Sequence, residues 1–156
     1  MELKIAIKKS DYYDYKLYRT YTEMPGIIAT MFGVILMAGY LSSKNIIWLL
    51  IGGLLIISVL LYVRASGEQD MRKNKSLLSK CTYRMSEEGI VRLVRDVEES
   101  SVLWEEIKKA VSTPKSIFLI GEEKVMILPK GNIINLGECI GMISIHISPD
   151  KVKIKP

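Results

Sequence analysis

Two long apolar stretches dominate the pattern of hydrophobic and polar residues along the chain. Residues 24–43 and 45–63 carry no charged side chain, and Lys44 is the one charge that lies between them. At about 1.5 Å per helical residue each stretch is about 30 Å long, which matches the hydrocarbon core of a bilayer. Helices buried in soluble proteins usually keep a polar face, and neither stretch has one. The pattern therefore predicts a transmembrane α-helical hairpin with a tight turn.

Basic residues flank this predicted hairpin far more densely than they occupy its turn. Cytoplasmic segments next to a membrane span carry an excess of Lys and Arg, so both termini are expected in the cytoplasm. The flanking residues are Lys8, Lys9, Lys16 and Arg19 before the first span, and Arg64, Arg72, Lys73, Lys75 and Lys80 after the second.

The polar remainder consists of an amino-terminal piece, 1–23, and a carboxy-terminal piece, 64–156, on either side of the hairpin, 24–63. Residues 3–7 alternate between apolar and polar for a short strand, and Ser10-Asp11 can cap a helix that carries five tyrosines. Tyrosines favour the headgroup layer, so this helix is expected at the membrane interface. The second span is expected to leave the membrane as a helix and fray near Gly67.

The period changes to that of strands after Lys80, and about five short strands are predicted. They cover residues 81–85, 90–97, the segment around 101–104, 116–120 and 125–128, with turns at 86–89, 98–100 and 121–124. Residues 136–147 fit both a strand and a helix. Asn135 with Glu138 suggests an amino-terminal capping box and Pro149 follows the other end, so a carboxy-terminal helix is preferred. The fold class expected is a membrane helical hairpin plus a small α+β domain.

Several short motifs resemble those of the YcxB-like family, bacterial membrane proteins with two spans and a small cytoplasmic domain of pleckstrin-homology-like shape. The motifs are Tyr83-x5-Gly89, "WEEIKK" at 104–109, "ILPK" at 127–130 and "SDYYDYKLY" at 10–18. The resemblance implies a small antiparallel sheet or barrel of pleckstrin-homology-like shape, closed by one carboxy-terminal helix. It also implies location in the bacterial inner membrane. The Gly- and Ile-rich stretch 132–147 and the basic end of the chain depart from the family's acidic helical tail.

No enzyme chemistry is indicated by the residues. His146, the sole histidine, has no Cys or carboxylate near it at ligand spacing, and the adjacent glutamate pairs lie in predicted turns. Cys81 and Cys139 lack the spacing of a metal or dithiol motif and are expected to be free, packed thiols. The chain from Arg64 onward has only a small excess of basic residues, which does not indicate nucleic-acid binding. No cofactor, metal or small-molecule substrate is expected.

The function expected is therefore a binding module held at the membrane, which contacts a protein segment or an anionic lipid headgroup and regulates a neighbour. The alternative is a structural or assembly subunit whose spans make the key contacts in a larger complex or homo-oligomer. Pro129 is expected to end the last strand, and Trp104 to pack over the sheet with a partner for its indole N–H. The candidate contact residues are Arg72, Lys73, Lys75, Trp104, Lys108, Lys109 and Lys130.

Overall fold

The structure is a computed structural model of the chain, and it describes residues 1–95, 97–122 and 124–154, without the side chain of Lys75. The contacts of these residues divide the chain into two compact units. The α+β unit contains residues 1–14 and the chain from Asn74 onward, and the helical unit contains residues 15–73. The predicted ranges 1–23, 24–63 and 64–156 therefore have other boundaries than the compact units.

Within the described residues the chain forms four α-helices and eight strands. The helices are α1 (Lys9–Thr22), α2 (Met24–Ser43), α3 (Ile46–Lys73) and α4 (Leu136–His146). The strands are β1 (Glu2–Ala6), β2 (Lys80–Met85), β3 (Gly89–Val94), β4 (Val97–Leu103), β5 (Lys109–Ser112), β6 (Ser116–Ile120), β7 (Val125–Pro129) and β8 (Val152–Lys153). Helices and strands in one chain confirm the predicted α+β class.

The helical unit contains the two long apolar helices, α2 and α3, packed against each other. Both are long and apolar enough to cross a membrane. Lys44 has a left-handed backbone (φ 53°), and its N–H donates to the carbonyl of Tyr40 at 2.8 Å, which ends α2. The Asn45 side chain then accepts a hydrogen bond from the N–H of Ile47 at 3.0 Å and so caps α3. The predicted tight turn is thus present, but α3 does not fray near Gly67.

Glycines allow α2 and α3 to approach closely. A Cβ atom on Gly33 would lie 2.7 Å from Cγ1 of Ile56 and 3.1 Å from the carbonyl oxygen of Gly52. A Cβ atom on Gly52 would in turn collide with Met37, whereas one on Gly53 would meet nothing within 4 Å. Gly33 and Gly52 therefore pack the hairpin, since a side chain at either position would push the helices apart.

Two four-stranded sheets form the framework of the α+β unit. The first sheet is antiparallel in the order β1-β2-β3-β4, and the second has the order β7-β6-β5-β8, with β8 parallel to β5. Strand β1 comes from before the helical hairpin and pairs with β2 from after it, with Leu3 opposite Tyr83. The first sheet therefore joins the segment before the helical hairpin to the segment after it.

The predicted turn at 98–100 is wrong, because β4 runs through these residues. The chain turns instead around Arg95, whose backbone is left-handed with φ 53°. Glu98 and Ser100 suggested a turn because they are polar, but they lie on β4, an edge strand where polar side chains face solvent. Strands β5 and β8 were missed because each is short and half polar.

Helix α4 settles the choice left open for residues 136–147 in favour of a helix. The predicted capping box is wrong in detail, because the Asn135 side chain caps no backbone N–H and its amide donates to the carboxylate of Glu138 at 3.1 Å. The apolar side of α4 is buried through Cys139 and Ile143. This burial, rather than a cap, therefore fixes the helix against the unit's core.

The two sheets bury their residues differently. In β1 and β2 burial alternates, so the first sheet has one apolar face toward the core and one face open. Strands β6 and β7 are buried on both faces, as their continuous apolar runs require. Pro129 ends β7 as predicted, and Cys81 and Cys139 are buried free thiols as predicted. Burial, followed by the nearby Glu138 charge, raises the pKa of Cys139 to about 11.

Candidate functional site

The predicted contact residues of the α+β unit differ in burial and in partners. Trp104 is buried and its indole N–H donates to the carbonyl of Ser86 at 2.9 Å, which supplies the expected partner. Lys108 forms an exposed ion pair with Glu122 at 2.8 Å. Lys109 lies in β5, and Lys130 begins a 3-10 turn after β7. These residues sit on separate elements, and their contact role stays a prediction.

The predicted contact residues nearer the apolar helices lie at the end of α3. Arg72 and Lys73 are exposed in its last turn. Cations suit this position because the carbonyl end of a helix carries partial negative charge. The side chain of Lys75 lies outside the described part of the structure.

An acidic cleft of about 380 Å³ lies beside Trp104. His146 stacks on the Trp104 ring with centroids 4.9 Å apart and an interplanar angle of 11°. The sole histidine is therefore packed against an aromatic ring. The acidic residues that line this cleft are Glu87, Glu88 and Glu105, and His146 lines it as well.

A second groove, of about 440 Å³, lies along the first sheet and is basic. Lys4 stands directly opposite Thr82, and Thr82 stands opposite Leu93, so the three side chains share one face of the sheet. Lys80, two residues before Thr82, is on that same face. Diagonal neighbours across two strands are about 7–8 Å apart, so the ammonium groups of Lys4 and Lys80 can reach one common anion. We call this feature the basic groove; Lys4, Lys80, Arg95, Thr82, Leu93 and Asn132 line it.

The cations of the basic groove are exposed and have no acidic partner among the described residues. Lys4, Lys80 and Arg95 are all exposed and take part in none of the ion pairs of the described chain. Farther along the same face, Arg84 is neutralised by Glu2 at 2.7 Å. The groove is thus a local concentration of positive charge that forms no ion pair with the acidic side chains of the described residues.

Arg95 and its near neighbour Arg92 differ in environment and role. Arg92 is buried, donates to the carbonyl of Ser76 at 2.7 Å and pairs with Glu99 at 3.1 Å. Burial alone lowers the pKa of Arg92, but neighbours that include Tyr83 and Glu99 raise it above its usual value. Arg95 instead stands exposed in a left-handed conformation that glycine or asparagine adopts at lower cost.

The local sequence around Lys4, Lys80 and Arg95 does not indicate a binding site. Lys4 was the polar position of an alternating strand, Lys80 was one of the orientation charges, and Arg95 lay inside a predicted strand. Only the pairing of β1 with β2 brings Lys4 beside Lys80, since the two residues are far apart in the chain. In chemical terms the groove can hold an anion between two ammonium groups and a guanidinium, with the Thr82 hydroxyl as a further donor.

Comparisons of the chain with protein-family models, with curated proteins and with solved structures find no match. The function is therefore inferred from the residues of the chain itself.

Proposed function

We propose that the protein is a non-enzymatic integral membrane protein of the bacterial inner membrane, whose α+β unit is a binding module in the cytoplasm. The observation that carries this proposal is the exposure of α2 and α3. Only 11% and 17% of the residues in their most apolar windows are buried, although the two helices pack against each other. Met24, Leu41 and Leu54 are 69%, 68% and 71% exposed. A helix from the core of a soluble protein would bury such side chains, because each costs about 1.5–3 kcal/mol when left in water.

The strand pairing supports two crossings of the membrane. Strand β1 lies before α2 in the chain and strand β2 lies after α3, yet the two strands pair over five residues. One folded sheet lies on one side of a bilayer, so the chain must return to the side from which it started. Two spans do this, and the excess of basic residues outside the turn supports the cytoplasm as that side.

The architecture of the α+β unit supports the resemblance to YcxB-like proteins. Seven of its strands form two sheets with antiparallel neighbours in chain order, and α4 follows them. This is the arrangement that the pleckstrin-homology-like shape implies. The proposal of a non-enzymatic module rests on the sequence, which contains no nucleophile elbow, phosphate loop or metal-ligand motif. The module is proposed to contact an anionic lipid headgroup or a protein segment and so to regulate a neighbour.

Topology is tested with single cysteines at Ser43 and Ser66, which lie on either side of the apolar stretch 45–63. A membrane-impermeant maleimide added to intact cells is expected to label Ser43→Cys but not Ser66→Cys. The unsubstituted chain is the control, because Cys81 and Cys139 are buried. Alkaline carbonate should leave the protein in the membrane pellet. Labelling of Ser66→Cys alone would reverse the orientation, and release by carbonate would exclude membrane insertion.

A further inference from the structure

The basic groove lies at the end of the first sheet where the chain runs to and from the apolar helices. Ala6 ends β1 just before α1, and it pairs with Lys80, which begins β2 after α3. Glu98 of β4 lies opposite Leu93 of β3, so its carboxylate is on the same face of the sheet, but Glu98 does not line the groove. The groove thus combines three cations that pair with no acid among the described residues with the end of the sheet that the chain connects to the helices.

An exposed isoleucine lies next to the basic groove. Ile134 is 97% exposed and follows two residues after Asn132, which lines the groove. The Asn132 amide donates to the carbonyl of Ala6 at 3.5 Å and so ties this segment to β1. Two residues span at most about 7 Å, so the backbone of Ile134 lies within about 7 Å of that of Asn132. An apolar side chain beside a group of cations is the composition of surfaces that bind the membrane interface.

The opposite end of the first sheet has the opposite charge. The acidic cleft, with Glu87, Glu88 and Glu105, lies beyond the far end of β2. Six strand residues separate the two ends by about 20 Å, which is more than a Debye length at physiological salt. A unit polarised in this way turns its basic end toward a negatively charged surface. The cytoplasmic leaflet is such a surface, because it contains anionic lipids.

Resting on the proposed function, we infer that the basic groove binds the phosphate of an anionic phospholipid while Ile134 inserts between the headgroups. Lys4, Lys80 and Arg95 neutralise the phosphate, and the apolar Leu93 contacts the glycerol region. Zwitterionic lipids bind less well, because their own cation competes with these three side chains. The lipid then holds the module against the membrane from which its apolar helices emerge.

The test uses the full-length protein in a nonionic detergent, with retained lipid measured by native mass spectrometry. Phosphatidylglycerol is expected to bind more tightly than phosphatidylcholine. Lys4→Gln, Lys80→Gln and Arg95→Gln should each weaken phosphatidylglycerol binding about fivefold, and the triple variant about 100-fold. The matched control, Lys115→Gln with Lys151→Gln and Lys153→Gln, removes the same charge elsewhere and should bind as the unsubstituted protein does.

Insertion of Ile134 is tested in nanodiscs with an environment-sensitive dye on Ile134→Cys. Its emission should shift to the blue in discs that contain phosphatidylglycerol and not in pure phosphatidylcholine discs. Ile145→Cys is the control, because Ile145 is 80% exposed but lies beside His146 at the acidic end. Equal emission from the two sites in both kinds of disc would overturn the insertion.

Inorganic phosphate distinguishes a lipid site from a site for a soluble anion. If phosphate displaces phosphatidylglycerol at equal concentration, the groove recognises a free anion and the inference is overturned. The inference also fails, while the proposed function stands, if the groove triple variant and the control variant bind equally in a protein that resists carbonate extraction. Release of the protein from the membrane by carbonate would instead contradict the proposed function itself.

Discussion

The helical unit and the α+β unit place the same kinds of side chain in opposite environments. Leu54 in α3 is 71% exposed, whereas Leu128 in β7 is completely buried. The α+β unit has an alternating sheet and an inner core, as a domain in water must. The helical unit instead buries glycines between its helices and turns its large apolar residues outward. The difference shows that the two units of one chain suit different surroundings, water for the α+β unit and, as proposed, lipid for the helical unit.

The largest expected effect is loss of the core of the α+β unit. Phe118 in β6 is completely buried, so Phe118→Ala should lower the free energy of unfolding by about 3–5 kcal/mol. This is a large share of the stability of a single domain. Chemical denaturation in detergent, followed by near-UV circular dichroism, measures the change. Leu54→Ala removes an exposed side chain and should leave the transition unchanged; an equal loss from both variants would contradict the contrast.

A smaller effect is expected from a side chain placed between the two apolar helices. Gly33→Leu must displace Ile56 and the backbone at Gly52, which costs up to about 3 kcal/mol of helix packing. A pair of dyes on α2 and α3 should report a greater distance by energy transfer. Gly53→Leu is the matched control, since that position faces open space. Greater separation in the control alone would show that the packed face has been assigned wrongly.

The smallest expected effect is a pH dependence of the free energy of unfolding that arises from a thiol in the buried core. The pKa of Cys139 is about 11 when folded, against 9.0 for a free thiol, because burial disfavours the thiolate. Between pH 9 and 11 the unfolded chain therefore releases a proton that the folded chain keeps. The free energy of unfolding therefore falls by about 2 kcal/mol as the pH rises through this window. Below pH 9 the thiol is protonated in both states, so none of this stability is lost.

Cys139→Ala isolates this pH contribution from that of other groups. Burial also raises the pKa of Tyr83, so stability falls with alkaline pH in the variant too. The difference in slope between the two proteins, measured by denaturation in detergent at several pH values, belongs to Cys139. Identical slopes would mean that the thiol is open to solvent, in conflict with its burial beside α4.

The local sequence was sufficient to predict the elements whose own residues form a clear apolar or alternating pattern. The apolar stretches predicted α2 and α3 because a helix without a polar face carries its apolar signal at every position. The predicted strands at 81–85, 116–120 and 125–128 match β2, β6 and β7 because their patterns are strong and turns flank them. The prediction of a turn at 98–100 was wrong because an edge strand and a turn can both be rich in polar residues.

The basic groove shows why the candidate site was beyond the sequence analysis. Lys108, Lys109 and Lys130 were chosen because they lie near one another in the chain or within a motif. Lys4 and Lys80 are distant in the chain, and they become neighbours only through the register of β1 with β2. Strand register depends on which faces are buried against the rest of the core, and this is a property of the whole fold.

The sequence by itself determined the two apolar helices, the turn between them and most strands, because those features depend on neighbours in the chain. The tertiary structure decided that β1 joins the first sheet, that residues 97–103 form its edge, and that three cations meet in one groove. These depend on pairing between distant segments, where the free energy of burying a common core selects one register over many.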